Sequence, residues 1–235
     1  MTDEHSIEVE DGESVAAAHH KADSNNWIFF CHGFGSNKQG SYEIRCEKAV
    51  KEGYNAVRFD FRGNGESDGD FIDQSLSSKI KDLETVIEYF APEKYSVFGS
   101  SFGGKVALHH AAGSQDVETV IGRAPVTYNS IMSKYRAVVE EKGRFQHHEG
   151  ATIDERFFED LDKYEFDEIT KKFSCPIAIF HGGSDSTVHF KNTAEAVKKL
   201  ETDTLVQKFE GEKHSFGEKA EERMLEQLFN WLETN

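Results

Sequence analysis

The order of apolar runs and amphipathic stretches predicts an α/β protein: a mostly parallel central sheet with helices on both faces. Two observations carry this. Short apolar runs bounded by turn residues, such as Trp27-Ile28-Phe29-Phe30-Cys31 and Ile177 to Phe180, alternate with stretches of helical period. Strands that are apolar along their whole length, rather than at every second residue, suit a sheet buried on both sides.

The elements follow in order. Ile7-Glu8-Val9 and Ser14-Val15-Ala16-Ala17 flank Asp11-Gly12, a dipeptide suited to the positive-φ positions of a tight hairpin, so an antiparallel hairpin is expected at one edge. Trp27 to Cys31 reads as a buried strand, 41 to 52 as a helix stopped by Gly53, and Tyr54 to Phe59 as the next strand. Leu76, Ile80, Leu83, Ile87 and Phe90 mark one face of a helix over 75 to 90, with Pro92 just beyond its end. Tyr95 to Phe98 is a strand, and a helix is expected from Phe102 to about Ala112. Val117 to Ile121 and Ile177 to Phe180 are further strands, 190 to 200 helix, Thr204 to Phe209 extended, and 217 to 233 helix.

One segment interrupts the alternation. Residues 126 to 173 are charged and aromatic, with helical stretches at Tyr135 to Lys142 and Glu155 to Tyr164. A long excursion inside a compact domain is usually functional or disordered. Phe157, Phe158, Tyr164 and Phe166 favour packing, so an inserted cap is expected on a single domain spanning 1–235.

Composition narrows the function classes. Lys+Arg number 27 and Asp+Glu 43, giving a net charge of −16 that repels nucleic acid and anionic membranes but permits a small-molecule ester substrate. No apolar run approaches the roughly 20 residues of a membrane span. The acidic opening Met1-Thr2-Asp3-Glu4-His5 has neither the basic nor the apolar region of a secretion signal. Three widely spaced cysteines, Cys31, Cys46 and Cys175, do not form a disulfide framework. A cytoplasmic protein is the expectation. The pairs His19-His20, His109-His110 and His147-His148 lack a metal-ligand spacing, because adjacent side chains on a helix or strand point apart, and no metal is assigned.

The chemistry gathers in four loops. Gly99-Ser100-Ser101-Phe102-Gly103 joins a predicted strand to a predicted helix, the setting of a nucleophile elbow. Only Ser101 has glycine two residues away on both sides, so Ser101 is the candidate nucleophile. Ser100 is expected to pack beneath the turn or line the pocket. The Phe102 N–H, at the helix start, is a candidate oxyanion donor. After the Trp27 strand, His32-Gly33-Phe34-Gly35 places the Phe34 N–H as a second donor, with His32 read as a structural hydrogen-bonding residue. Asp185, in the loop after Phe180, is the candidate acid. His214, between the last strand and the last helix, is the candidate base. Asp60-Phe61-Arg62-Gly63-Asn64-Gly65-Glu66-Ser67-Asp68-Gly69 has no phosphate-loop signature and reads as glycine turns bracing the loop below the site.

In this order, His32-Gly33-Phe34, Asp60 to Ser67, the Ser101 elbow, His181-Gly182 with Asp185 and Val188, and His214 resemble the α/β-hydrolase superfamily. Within it the chain is similar to small esterases of the cinnamoyl (feruloyl) esterase and serine aminopeptidase–monoacylglycerol lipase group. The resemblance runs from about Ile7 to Trp231 and is weakest over 126 to 173. It implies a Ser101-Asp185-His214 triad, an oxyanion hole from Phe34 and Phe102, and ester hydrolysis without a cofactor. Ser100 departs from many relatives, which carry histidine or a larger residue there. A carboxylesterase for small to medium acyl esters is expected. A peptidase or amidase, and a non-enzymatic binding module on the same fold, are the alternatives.

Overall fold

The computed structural model describes residues 2–10, 12–148 and 150–234. In chain order the elements are β1 (Thr2–Glu8), β2 (Ser14–His20), β3 (Asn26–Cys31), α1 (Ser41–Lys51), β4 (Tyr54–Phe59), α2 (Leu76–Phe90), β5 (Tyr95–Ser100), α3 (Phe102–Ala111), β6 (Val117–Arg123), α4 (Ser133–Lys142), β7 (Arg144–His148), β8 (Ala151–Asp154), α5 (Glu155–Leu161), β9 (Ile177–Gly182), α6 (Phe190–Val197), β10 (Thr204–Phe209) and α7 (Glu218–Leu232).

Eight strands form one sheet in the order β1-β2-β4-β3-β5-β6-β9-β10. From β4 to β10 every neighbouring pair is parallel, while β2 is antiparallel to β1 and β4. The two-faced core follows from strand geometry, since successive side chains alternate sides. Phe29, Val97, Val120 and Ile179 pack on one face, with residues of α2, α3 and the β6–β9 excursion. Phe30, Phe98, Ile121 and Phe180 pack on the other, with Cys46 of α1 and Met224, Leu225 and Leu228 of α7.

The opening hairpin is longer than the sequence pattern suggests, pairing Thr2 with His20 through Glu8 with Ser14. Its turn is closed by Glu13 N–H to Glu10 O (2.8 Å), and Asp11 of the expected turn lies outside the described residues. Helix α6 stops at Val197, three residues short of expectation, and the chain continues in turns closed by Lys199 N–H to Ala196 O and Leu200 N–H to Val197 O. Between β6 and β9, α4 covers the expected Tyr135 to Lys142, while α5 stops at Leu161, three residues before the expected Tyr164. The two-stranded β7–β8 sheet beside them has no sequence forecast: its alternation is confined to the four residues of β8, with Ala151 and Ile153 buried, and β7 is mostly exposed. All three cysteines are buried as free thiols; burial raises Cys31 and Cys46 well above the usual thiol range and Cys175 to about 11, which keeps them from acting as thiolates.

Strand order positions the site. β4 lies on one side of β3 and β5 on the other, so the chain reverses its direction of winding there. Open α/β sheets bind ligands at the carboxyl ends of the strands around such a switch point.

Candidate active site

Ser101 follows β5 and caps α3 with φ 53° and ψ −117°. A serine held at positive φ costs on the order of 1–3 kcal/mol, and such strain concentrates at functional sites. The surroundings enforce it. A Cβ on Gly99 would strike the carbonyl of Gly103, and one on Gly103 would strike the carbonyl of Cys31. A Cβ on Gly104 would lie 2.6 Å from Pro125 Cβ. The strand, turn and helix therefore meet with backbone against backbone, which only glycine permits at these places. Ser101 N–H donates to Arg123 O (2.9 Å) and Ser101 O accepts from Val126 N–H (2.9 Å), tying the turn to the end of β6.

Phe102 is the first residue of α3, where backbone N–H groups have no partner inside the helix. The Phe34 loop lies alongside: a Cβ on Gly33 would sit 3.4 Å from Ser101 Cβ, and the Phe34 and Phe102 rings are 5.8 Å apart. His32 is fully buried. Its Nδ1 donates to Gly33 O (2.8 Å), its Nε2 accepts from Phe61 N–H (3.1 Å), and burial pushes its pKa down to about 3. A neutral imidazole used at both nitrogens braces two loops, as the sequence suggested.

The Asp60 loop does bracing work of a charged kind. The Asp60 carboxylate accepts from Lys38 N–H (2.6 Å), Lys38 Nζ (3.0 Å) and Glu66 N–H (2.9 Å), and Lys38 also pairs with Glu66. This buried lysine anchors the far end of the Phe34 loop. Sequence reading did not single it out, because an isolated lysine in a polar loop resembles any solvated one.

Asp185 and His214 meet across the ends of β9 and β10, with His214 Nδ1 donating to Asp185 Oδ2 (2.7 Å). The other carboxylate oxygen, Oδ1, accepts from Thr187 N–H (2.8 Å) and Val188 N–H (2.9 Å). Burial works to raise the Asp185 pKa, but the close approach of His181 Nε2 (3.4 Å) and the hydrogen bond from His214 outweigh it and hold the carboxyl well below its usual range. His181 is fully buried; its Nε2 donates to Val188 O (2.7 Å) and its Nδ1 accepts from the Thr193 hydroxyl (2.8 Å), fixing the loop that presents Asp185.

Ser101, Phe34, Phe102 and His214 line one cavity of about 590 Å³, which Val126, Met132, Tyr135, His147 and Val188 help to wall. Ser100 is buried beneath, as expected of it, and its Oγ accepts from Arg123 Nε (3.2 Å) and Arg45 Nη1 (3.3 Å). Arg123 Nη1 also donates to His214 O (2.5 Å), so one guanidinium spans the elbow and the His214 loop. Arg123 was invisible to sequence reasoning, since it ends a strand like many basic residues; its pairing with Ser100 across β5 and β6 reveals it. The sequence assigns His147 no role beyond a pair with His148 that lacks metal-ligand spacing. In the fold His147 lines the cavity, its ring 5.2 Å from Phe34, and His148 Nε2 donates to Gly35 O (3.0 Å).

Sheet order, helical layers and a strained serine turn above the strand ends define an α/β-hydrolase. The chain matches the serine aminopeptidase S33 family over residues 22–149 and belongs to it. Human mitochondrial palmitoyl-protein thioesterase ABHD10 is 26% identical over 215 residues, covering 84% of this chain and 70% of that protein. The quorum-quenching protein AidA of Acinetobacter baumannii is 30% identical over 109 residues, 43% of this chain and 35% of AidA. Among solved structures, mouse alpha/beta hydrolase domain-containing protein 10 superposes with a TM-score of 0.86 at 21% identity, covering 99% of both chains. Est1E from Butyrivibrio proteoclasticus with ferulic acid bound superposes at 0.83 with 17% identity, covering 97% of both. The chain is thus a serine hydrolase-type α/β-hydrolase related to the palmitoyl-protein thioesterase ABHD10. Among the described residues, no helix is long and apolar enough to cross a membrane.

Proposed function

We propose that the protein hydrolyses carboxylic esters of small to medium acyl groups through an acyl-enzyme at Ser101. One observation carries the reading: a serine held at positive φ on a strand-to-helix turn shares a cavity with a histidine whose Nδ1 is 2.7 Å from a buried carboxylate. Asp185 holds His214 with the proton on Nδ1, leaving Nε2 as the base. Ser101 Oγ attacks the carbonyl carbon while Nε2 takes the hydroxyl proton. The backbone N–H groups of Phe34 and Phe102 stabilise the oxyanion. As the bond to the leaving group breaks, Nε2 returns the proton to it. Water, deprotonated by the same nitrogen, then releases the acid. The excursion over 126–173 acts as a cap, since Met132, Tyr135 and His147 wall the cavity.

The name of the ABHD10 relatives extends the reading to sulfur esters, whose thiol leaving groups the same steps serve. An aminopeptidase must hold a free α-ammonium, which calls for a carboxylate. Among the described cavity-lining residues there is no aspartate or glutamate, so the ester reading is favoured over the peptidase one. Cytoplasmic residence belongs to the same proposal; the ABHD10 relatives are mitochondrial by name, and fractionation of tagged protein separates the two compartments.

A fluorophosphonate probe should label the wild type and not Ser101→Ala. Equal labelling of both sinks the nucleophile. Turnover of aminoacyl-anilides alone, with p-nitrophenyl esters and thioesters untouched, sinks the ester assignment.

A further inference from the structure

The cavity and the chain that encloses it disagree in charge. The sequence has 43 Asp+Glu against 27 Lys+Arg. Among the described residues that line the cavity, none is acidic, and two are lysines, Lys134 and Lys191. They come from separate elements, Lys134 from the start of α4 and Lys191 from the start of α6, and face a common space. Both are exposed, and no ion pair among the described residues engages either ammonium; the paired lysines are elsewhere.

A cleft of similar size shows that this depletion is particular to the site. The groove between α1 and α7, about 670 Å³, includes Glu47, Glu218, Glu221, Glu222 and Glu226 in its wall. Acidic residues therefore line another concave surface on this protein, whereas none of the described residues in front of Ser101 is one.

Charge of this pattern has a consequence for the ligand. At long range a net charge of −16 repels anions, and at short range a concave, partly apolar wall focuses the field of the charges set into it. Neither ammonium is held in an ion pair by the described residues, so an anion in the cavity need break no such pair to meet them, and their charge offsets the water it gives up. A neutral ester gains nothing from them, and a cationic one is repelled. Building on the ester reading above, we infer that the substrate carries a carboxylate or phosphate remote from the reacting carbonyl, held between Lys134 and Lys191.

Matched chromogenic pairs test this from both ends of the ester. Mono-p-nitrophenyl adipate against p-nitrophenyl hexanoate places the anion on the acyl side. The 3-nitro-4-hexanoyloxybenzoate ion against 3-nitro-4-hexanoyloxybenzamide places it on the leaving group. In at least one pair the anionic ester should have the higher kcat/KM, by roughly tenfold at low salt, the size of two modest ion pairs. That ratio should shrink as NaCl is raised. It should survive in Lys134→Arg/Lys191→Arg, collapse toward one in Lys134→Met/Lys191→Met, and invert in Lys134→Glu/Lys191→Glu. A neutral preference in both pairs, or an anionic preference that persists in the double Met variant, overturns the inference and leaves the ester reading standing. Failure of the wild type to turn over any of the four esters overturns the ester reading and the inference together.

Discussion

Two clefts lie back to back against the loop after β10. His214 lines the first, with Ser101; Ser215 and Phe216 line the second, with Arg45 and Arg123. They are similar in volume, about 590 and 670 Å³, yet one excludes carboxylates among its described lining residues and the other is rich in glutamate. Size alone does not separate a reaction site from a groove here. What separates them is a strained backbone and the charge left out. The second cleft shows the chemistry of the surface at large, while the first gathers the strained Ser101 and the histidine paired with Asp185.

The sharpest test of that contrast is Ser101→Ala. It should lower kcat for an activated ester by about a thousandfold or more, since a triad works as a unit. A loss below tenfold would mean that the first cleft is no more special than the second. Next comes Arg123, the wall between the clefts, which bonds to Ser100 Oγ and to His214 O. Arg123→Met should cut kcat by roughly ten- to a hundredfold through misplacement of the base, with KM little changed. An effect confined to KM would make Arg123 a groove residue with no hand in the chemistry.

A smaller effect concerns how the 126–173 excursion is held against α3. Lys105 of α3 is buried and donates to the carbonyls of Thr127 (3.3 Å) and Tyr164 (2.9 Å). Burial pushes its pKa down to about 8 from the ordinary 10.5. Between those values the unfolded chain holds the proton and the folded protein sheds it. The cost of burying the charge is thus present in full below about pH 8 and is relieved as pH rises toward 10.5. Denaturant titrations at pH 7.5 and 10 should show wild type gaining on Lys105→Met by roughly 1 kcal/mol or more over that window. A pH-independent difference would mean that the amine is not desolvated. Smallest of all, Glu222→Gln in the second cleft should leave kcat/KM for a neutral ester within twofold. A tenfold change would show that the two clefts are coupled through the loop they share.

Much of the site was legible because its demands are steric and local. Gly99, Gly103 and the strand before them mark Ser101, and position just after a strand end, taken with chain order, singles out Asp185 and His214 as the candidate acid and base. The supporting residues were not legible in the same way. Lys38, Arg123 and His147 look like solvated surface in the sequence, and their partners Asp60, Ser100 with His214, and Phe34 lie 22, 23, 91 and 113 residues away. The β7–β8 sheet is hard to read for a related reason: β7 is exposed at four of its five residues, and the alternation of β8 lasts only the four residues Ala151–Asp154.

By itself, then, the sequence determined the alternating architecture and the turn that strains Ser101, because periodicity and the absence of a Cβ act over a few residues. Only the tertiary structure decided how Asp185 and His214 come within 2.7 Å, how one arginine joins two loops, and how Lys134 and Lys191 come to line one space free of described carboxylates. Those outcomes depend on which strand ends become neighbours in the sheet, and on how a polar excursion folds back over them. The pattern along a chain does not carry that information until the core has packed.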